Sequence, residues 1–244
     1  MAAPVDLVVP IKELRRAKSR LVGATVDVAP TGGGRAATRA GLALALASDT
    51  LAAVLASSVR RVAVVTADPR AAALVGPAGE RECRGEGGDP PRAVVVDDPG
   101  TGLNAAVVAG AEHLRGVADE PALVAALLGD VPALRPGELD EALAHAAEVI
   151  TGGAPAAFVA DHTGEGTTLL VLARPGLGGP HFGPYSARAH ESAGAVPLTG
   201  AWPGLRHDVD VPADLDQVRA LGVGPATRAW PDVPVPAVPL AGCR

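Results

Sequence analysis

A basic segment follows the first apolar run of the chain and carries Lys12, Arg15, Arg16, Lys18 and Arg20. Cationic side chains at this place can neutralise the phosphates of a nucleoside triphosphate. Neither of the familiar glycine-rich phosphate loops follows the run, so the phosphates would be held by side chains instead. The alternative is that these charged side chains are simply exposed to water, which is the commoner case for such segments. We assign the binding role to Lys12, Lys18 and Arg20, and leave Arg15 and Arg16 facing water.

A mostly apolar run at residues 122–128 is followed by Gly129 and Asp130, which places Asp130 at the end of a predicted strand. A carboxylate in a site of reduced solvent access is costly unless a cation compensates its charge. Aspartate is also common at the N-cap of a helix, but the next predicted helix begins only at Glu138. We therefore predict that Asp130 is a magnesium ligand.

Asp208 and Asp210 flank Val209 in a predicted late strand. Side chains two residues apart on a strand point to the same face, so both carboxylates could contact one metal ion. Asp210 could instead cap the helix that opens at Pro212, because proline is common at the first helical position. The pattern assigns Asp208 to the metal and leaves Asp210 either as the helix cap or as a support for a metal ligand.

Two loops rich in small and hydroxyl residues, at 164–168 and 182–186, complete the polar set. Such loops are by default ordinary turns. Their main-chain N–H groups and hydroxyls can also bind the phosphate and carboxylate of an acceptor molecule. Among the histidines only His207 stands beside the predicted chemistry, and the others, His190 included, are assigned to the surface or to packing. The chain has no Ser/His/Asp order or Cys/His pair that would indicate a covalent nucleophile.

These residues must be positioned by elements that alternate along the chain. Short apolar runs predict strands at residues 5–9, 62–65, 93–96, 122–128, 158–160, 168–173 and 208–210, and Ala- and Leu-rich stretches predict helices at 36–57, 71–75, 105–114, 138–149, 187–194 and 212–221. The alternation predicts a single-domain α/β fold with a mostly parallel, doubly wound sheet. Ligands of such sheets bind outside the carboxyl ends of the strands, where the cations and carboxylates would meet.

The domain is predicted to span residues 1–227. The stretch from residue 224 onwards is proline-rich and has no periodicity, so residues 228–244 are predicted to form a weakly ordered tail. Cys83 and Cys243 show no metal-ligand spacing and are expected to be free thiols.

Composition narrows the function class. The formal net charge is −6, from 27 acidic and 21 basic side chains. This balance argues against a nucleic-acid-binding surface but not against one bound nucleotide. Every apolar stretch is interrupted before it could span a bilayer, so no membrane association is expected and the expected location is the cytoplasm. The oligomeric state is left open between a monomer and a homodimer.

Taken in order, several segments resemble those of the 2-phospho-L-lactate / phosphoenolpyruvate guanylyltransferases of coenzyme F-420 biosynthesis. The matching segments are residues 10–12, 18–21, 64–66, 102–105, 130–134, 166–168, 182–183 with Ser186, and 204–210. The ordered set of segments is specific for this family, although each segment alone is weak evidence. It implies a nucleotide-diphospho-sugar-transferase-like fold related to the molybdenum-cofactor guanylyltransferases. Residues 25–35 and 79–91 are longer and more glycine-rich than the family pattern.

The resemblance also implies a reaction and a role for each matching residue. The acceptor's phosphate oxygen would attack the α-phosphorus of GTP, transferring GMP and releasing pyrophosphate. Asp130 and Asp208 would hold Mg²⁺ and form the catalytic set with Lys18. The binding residues would be Lys12, Lys18 and Arg20 for the triphosphate, Thr66 and Asn104 for the guanosine, and Thr168, Gly183 and Ser186 for phosphoenolpyruvate.

Phosphoenolpyruvate is the expected acceptor because the composition indicates a high-GC, actinobacterial source, and the actinobacterial members of the family resemble the users of phosphoenolpyruvate. 2-Phospho-L-lactate and 3-phosphoglycerate are the alternative acceptors. A molybdenum-cofactor nucleotidyltransferase is a further alternative, but its glycine-rich first loop of the L-x-G-G type is absent. A nucleotide-sensing binding module is disfavoured because both Asp130 and Asp208 are retained.

Overall fold

The computed structural model of the chain describes residues 3–12, 34–75, 93–117, 122–173 and 179–230. The strands are β1 (Val5–Pro10), β2 (Arg61–Val65), β3 (Ala93–Val96), β4 (Leu123–Leu127), β5 (Ala156–Ala160), β6 (Thr167–Leu172) and β7 (Ala195–Pro197). The helices are α1 (Gly34–Leu55), α2 (Pro69–Ala73), α3 (Leu103–Gly116), α4 (Pro136–Thr151), α5 (Ser186–Ser192), α6 (Pro203–Arg206), α7 (Pro212–Leu221) and α8 (Pro225–Ala229).

The strands of the described residues form one seven-stranded sheet in the order β3-β2-β1-β4-β6-β5-β7. Only β6 runs antiparallel to its neighbours β4 and β5, whereas the other pairs are parallel. The connection between β5 and β6 is too short for the crossover that a parallel pair requires, so β6 must turn back. The predicted α/β fold with a mostly parallel sheet is confirmed.

The sheet is covered on both faces, as the apolar runs of its central strands require. Leu7 and Val9 of β1 pack in the core cluster that also contains buried side chains of α1 and α4. Val8, between them, packs with α3 on the opposite face. Helix α3 comes very close to the sheet at Gly110, where an added Cβ would lie 2.8 Å from Val65 Cγ2.

Two sequence predictions differ from the structure near the carboxyl end of the chain. Residues 208–210 form an extended segment outside the sheet, so the strand predicted there is wrong, and the last strand of the described chain is β7 instead. Helix α8 lies in a stretch for which no regular structure was predicted. It is anchored by the buried Asp49 of α1, whose carboxylate accepts the backbone N–H groups of Ala226 at 3.0 Å and Thr227 at 2.8 Å.

Several predictions fall outside the described residues. They concern Lys18 and Arg20, most of the two glycine-rich segments, both cysteines, and the chain beyond Trp230. Within the described ranges, no helix combines the length and the apolar character needed to cross a membrane.

Candidate active site

A cleft of about 750 Å³ opens where the carboxyl ends of β1 and β4 meet. It is lined mainly by four stretches of chain: Pro10, Ile11 and Lys12 at the end of β1; Leu128, Gly129 and Asp130 after β4; Asp161, Thr163, Glu165, Gly166 and Thr167 at the turn from β5 into β6; and Phe182 to Ser186 at the start of α5. Ala43 and Ala47 of α1 and Leu103 of α3 also contribute. Asp208 and Asp210 close the remaining side. The cleft therefore lies at the strand ends, as the rule for open α/β sheets requires.

Three carboxylates come together in this cleft. Asp130, Asp208 and Asp210 each offer one oxygen atom, and these three oxygens all lie within 4.8 Å of one another. Carboxylate oxygens at such separations are the hard ligands that Mg²⁺ and similar cations prefer. The acidic residues after β3, Asp97 and Asp98, are not part of this cluster of described residues. The arrangement can hold one divalent metal ion.

Asp130 is positioned by hydrogen bonds to its own backbone and to that of its neighbour. The backbone N–H of Val131 donates to Oγ1 of Thr50 on α1 at 3.1 Å, and Thr50 is fully buried. The backbone N–H of Val209 donates to the carbonyl of Asp130 at 3.2 Å. This second bond ties the segment that carries Asp208 and Asp210 to the turn after β4, although about eighty residues of chain separate them.

The segment around Val209 presents its two carboxylates because its apolar residue points the other way. Val209 is fully buried in a core cluster with residues of α1 and α7. Asp214 in the first turn of α7 accepts the backbone N–H groups of Asp210 at 2.8 Å and Val211 at 2.7 Å. Val211 occupies the N-cap position of α7. The helix-cap role considered for Asp210 is therefore wrong, and Asp210 joins the carboxylate cluster instead.

Gly204 allows α6 to lie against the chain that follows Asp130. The carboxylate of Glu138 accepts the backbone N–H groups of Gly204 at 3.3 Å and Leu205 at 3.1 Å. A Cβ atom at Gly204 would overlap the backbone carbonyl of Ala133. Glycine is thus required by close packing, in a helix that ends two residues before Asp208.

We expect Gly204→Ala to disturb both stability and the carboxylate cluster. The added methyl group must push α6 away from Ala133, which should cost roughly 1–3 kcal/mol of unfolding free energy, as overpacking does elsewhere. Displacing α6 should also weaken divalent-metal binding, measured by titration with Mn²⁺. Gly137→Ala is the control, because nothing lies within 4 Å of an added Cβ there. Wild-type stability and metal affinity in Gly204→Ala would contradict this account of the glycine.

Asn104 holds the loop that contains Gly183 and Ser186. Its Nδ2 donates to the carbonyl of Phe182 at 3.1 Å, and its Oδ1 accepts the backbone N–H of Phe182 at 2.8 Å. This pair of bonds links the first turn of α3 to the cleft wall. Sequence reasoning placed Asn104 near the guanosine, which stays a prediction, and missed its contact with the loop.

The other predicted binding residues occupy different surroundings. Lys12, Gly183 and Ser186 line the cleft. Thr66 is buried at the end of β2, where its Oγ1 accepts the backbone N–H of Asp68 at 3.1 Å. Thr168 is fully buried in β6, and its hydroxyl donates to the carbonyl of Val159 at 3.5 Å. The contacts proposed between these residues and GTP or phosphoenolpyruvate stay predictions.

Thr167, next to Thr168, lines the cleft and contacts a buried histidine. Its Oγ1 lies 3.0 Å from Nδ1 of His190 on α5. His190 is only 1% exposed, and burial lowers the pKa of its imidazole to about 4, with a smaller contribution from His181. At neutral pH the ring is therefore uncharged. The sequence placed His190 at the surface or in packing and gave no signal of its contact with the cleft wall.

Comparison with known proteins identifies close relatives along nearly the whole chain. A phosphoenolpyruvate guanylyltransferase from Geodermatophilus obscurus is 48% identical over 227 residues, which cover 92% of each chain. One from Streptomyces scabiei is 48% identical over 229 residues, covering 91% of this chain and 94% of the relative. No protein-family model matches the chain.

The fold is also found in a solved nucleotidyltransferase structure. The crystal structure of 4-diphosphocytidyl-2C-methyl-D-erythritol synthase superposes with a TM-score of 0.53 at 15% identity, covering 91% of this chain and 99% of that one. At this identity the likeness is one of fold. It agrees with the nucleotide-diphospho-sugar-transferase-like architecture expected from the sequence.

Proposed function

The chain belongs to the phosphoenolpyruvate guanylyltransferase family of coenzyme F-420 biosynthesis, and on that premise we propose that it transfers GMP from GTP to phosphoenolpyruvate, releasing pyrophosphate. The observation that carries the proposal is the cluster of Asp130, Asp208 and Asp210 in a cleft that Lys12 also lines. A nucleoside triphosphate with its metal ion needs this combination of hard oxygen ligands and cations.

The three carboxylates fit a magnesium ion by the chemistry of their donor atoms. When bound there, Mg²⁺ would neutralise the charge that develops on the reacting phosphates. Lys12, Lys18 and Arg20 would neutralise the rest of the triphosphate, since each is a cation in or next to the segment that follows β1.

The proposed reaction needs no protein nucleophile. The acceptor's phosphate oxygen is already anionic, and it forms a bond to the α-phosphorus of GTP while the bond from that phosphorus to the bridging oxygen of the β-phosphate breaks. Pyrophosphate leaves with the bridging oxygen, so no proton transfer to the protein is required. The loop around Gly183 and Ser186 would orient the acceptor, and orientation with charge neutralisation would supply most of the rate.

The test is a pyrophosphate-release assay with GTP, Mg²⁺ and, in separate reactions, phosphoenolpyruvate, 2-phospho-L-lactate or 3-phosphoglycerate. We expect release with phosphoenolpyruvate, and mass spectrometry of the product should give the enolpyruvyl-diphospho-guanosine. Replacing GTP by CTP or ATP tests the guanine preference. Release only with another acceptor would overturn the choice of phosphoenolpyruvate, and no release with any of the three would contradict the transferase itself.

Asp210→Asn is expected to weaken the use of magnesium without destabilising α7. The substitution removes one negative charge from the cluster but keeps the backbone N–H that Asp214 accepts. We expect the Mg²⁺ concentration for half-maximal turnover to rise roughly ten- to a hundredfold, the range typical of metal-site changes. Asp216→Asn, at an exposed position of α7, is the matched control. An unchanged magnesium requirement together with a lower unfolding free energy would assign Asp210 to the helix instead.

A further inference from the structure

The hydrogen bonds of His190 determine which of its ring nitrogens carries the proton. Its Nε2 lies 2.9 Å from the backbone nitrogen of His181, and its Nδ1 lies 3.0 Å from Oγ1 of Thr167. A backbone N–H can only donate, so Nε2 of His190 must accept and carries no hydrogen. Since the neutral imidazole has a single N–H, that hydrogen is on Nδ1.

The direction of the second bond follows from this tautomer. Nδ1–H of His190 donates to Oγ1 of Thr167, and the hydroxyl hydrogen of Thr167 must therefore point to a different acceptor. Among the described residues, the hydrogen-bond partner of this hydroxyl is His190. Thr167 also lines the cleft together with Gly183 and Ser186. The hydroxyl is thus left as a donor at the wall of the cleft where the acceptor is expected.

We propose that the Thr167 hydroxyl donates a hydrogen bond to an anionic oxygen of the bound acceptor, and that His190 is the positioning residue that orients it. The inference rests on the proposed transferase function and names a contact within that site. Thr168 is the residue that the family resemblance implies for this task. Thr168 is fully buried, and its hydroxyl donates to the carbonyl of Val159.

His190 also fixes the loop opposite Thr167. By accepting the backbone N–H of His181 it holds the residue next to Phe182, whose backbone is held by Asn104. The ring is packed between aromatic side chains, with centroid distances of 5.9 Å to Phe158 and 5.3 Å to Phe182. One buried ring therefore sets the distance between the Thr167 hydroxyl and the loop that contains Gly183.

The first experiment compares variants of Thr167 in the pyrophosphate assay. Thr167→Val keeps the shape of the side chain and removes the donor, whereas Thr167→Ser keeps the hydroxyl. At saturating GTP we expect the KM for phosphoenolpyruvate to rise roughly ten- to a hundredfold in Thr167→Val, as for the loss of a hydrogen bond to a charged group. The KM for GTP should change by less than about twofold, and Thr167→Ser should restore the acceptor KM to near wild type.

Thr227→Val is the matched control for the valine substitution. Thr227 is fully buried on α8, and its Oγ1 has no hydrogen-bond partner in the part of the chain that the structure describes. An unchanged acceptor KM in Thr167→Val, with active wild-type protein, would overturn the inference. A larger increase in Thr168→Val than in Thr167→Val would also overturn it. An inactive wild-type protein would instead count against the proposed function.

Two variants of His190 separate its two hydrogen bonds. The amide nitrogen of an asparagine lies close to the position of Nδ1, so His190→Asn keeps a donor for Thr167. The amide of a glutamine reaches the position of Nε2, so His190→Gln keeps an acceptor for His181. We expect the acceptor KM to rise more in His190→Gln than in His190→Asn. The opposite order would mean that His190 acts through the loop and not through the Thr167 hydroxyl.

The tautomer can be measured without any turnover. In ¹⁵N NMR spectra of the folded wild-type protein, the His190 signals, assigned by their loss in His190→Asn, should have the pattern of an Nδ1–H imidazole. An Nε2–H tautomer would remove the argument on which the orientation of the Thr167 hydroxyl depends. This readout remains decisive even if Thr167→Val proves too unstable to assay.

Discussion

Asp130→Asn is expected to abolish magnesium-dependent pyrophosphate release while the protein stays folded. The substitution removes a charged ligand from the cluster of Asp130, Asp208 and Asp210. A bound metal ion contributes several kcal/mol of transition-state stabilisation, and losing about 4 kcal/mol corresponds to a roughly thousandfold decrease in kcat. The fold should survive because Val209 donates to the backbone carbonyl of Asp130, which asparagine retains.

The decisive measurement pairs turnover with an unfolding curve. Asp140→Asn is the matched control, since Asp140 accepts hydrogen bonds from the backbone and hydroxyl of Ser58 and does not line the cleft. The control should have a kcat within about twofold of the wild-type value, as is usual for surface substitutions away from the active site. Unaltered turnover in Asp130→Asn would remove Asp130 from the metal site. If Asp130→Asn no longer unfolded cooperatively, Asp130 would be needed for the stability of the fold.

The parallel strands β1 and β2 could be predicted because they are buried on both faces. Such strands consist of short, β-branched apolar runs, and the runs at β1 and β2 were recognisable without any partner. Strand β7, at one edge of the sheet, has three residues and ends in Pro197, so it carries almost none of this signal. The stretch Asp208-Val209-Asp210 alternates as a strand does, but its hydrogen bond goes to the turn after β4 and not to a sheet neighbour.

The sequence predicted those residues of the candidate site that lie just after the ends of strands. Lys12 lies two residues after β1 and Asp130 three residues after β4, and the topology of a parallel sheet brings such positions together. Asp210 was ambiguous because a helix cap and a metal ligand have the same local sequence. The ambiguity is resolved by Asp214, which accepts the N–H of the N-cap residue and leaves Asp210 in the cleft.

Thr167 and His190 could not have been paired from the sequence. Adjacent residues of a strand point to opposite faces, so either Thr167 or Thr168 could have been the one at the cleft. The pairing of β6 with β5 shifts register between Val159 and Ala160, so that Thr167 lies opposite Ala160, and Thr167 is the residue of the two that lines the cleft. His190 is 23 residues from Thr167 along the chain, and nothing in the sequence around a single histidine on a short helix indicates its hydrogen-bond partner.

The two ends of β1 have different tasks. Its carboxyl end leads to Lys12 at the cleft, whereas Asp6 near its amino end is 2% exposed and is not among the residues that line the cleft. The carboxylate of Asp6 accepts two hydrogen bonds from the guanidinium of Arg60, at 2.9 Å from Nε and 2.8 Å from Nη2. A bidentate pair of this kind is directional and strong. It joins the start of β1 to the residue just before β2.

Asp6→Ala is therefore expected to lower stability strongly and leave catalysis intact. Breaking a buried ion pair by removing one partner typically costs 3–5 kcal/mol, and we expect about 3 kcal/mol of unfolding free energy here. The lower end applies because the Arg60 side chain is 23% exposed and can be partly hydrated once the carboxylate is gone. Urea unfolding measures the loss, and kcat at a temperature well below the unfolding transition should match wild type.

A double-mutant cycle with Arg60→Ala decides how much of this loss belongs to the pair. If the two groups act together, the double variant should be less destabilised than the sum of the single variants, because neither leaves a charge at the strand end. Asp97→Ala, at an exposed position after β3, provides the comparison for removing an aspartate without a buried partner. A loss below about 1 kcal/mol in Asp6→Ala would mean that the pair behaves as a surface ion pair, despite the burial of its carboxylate.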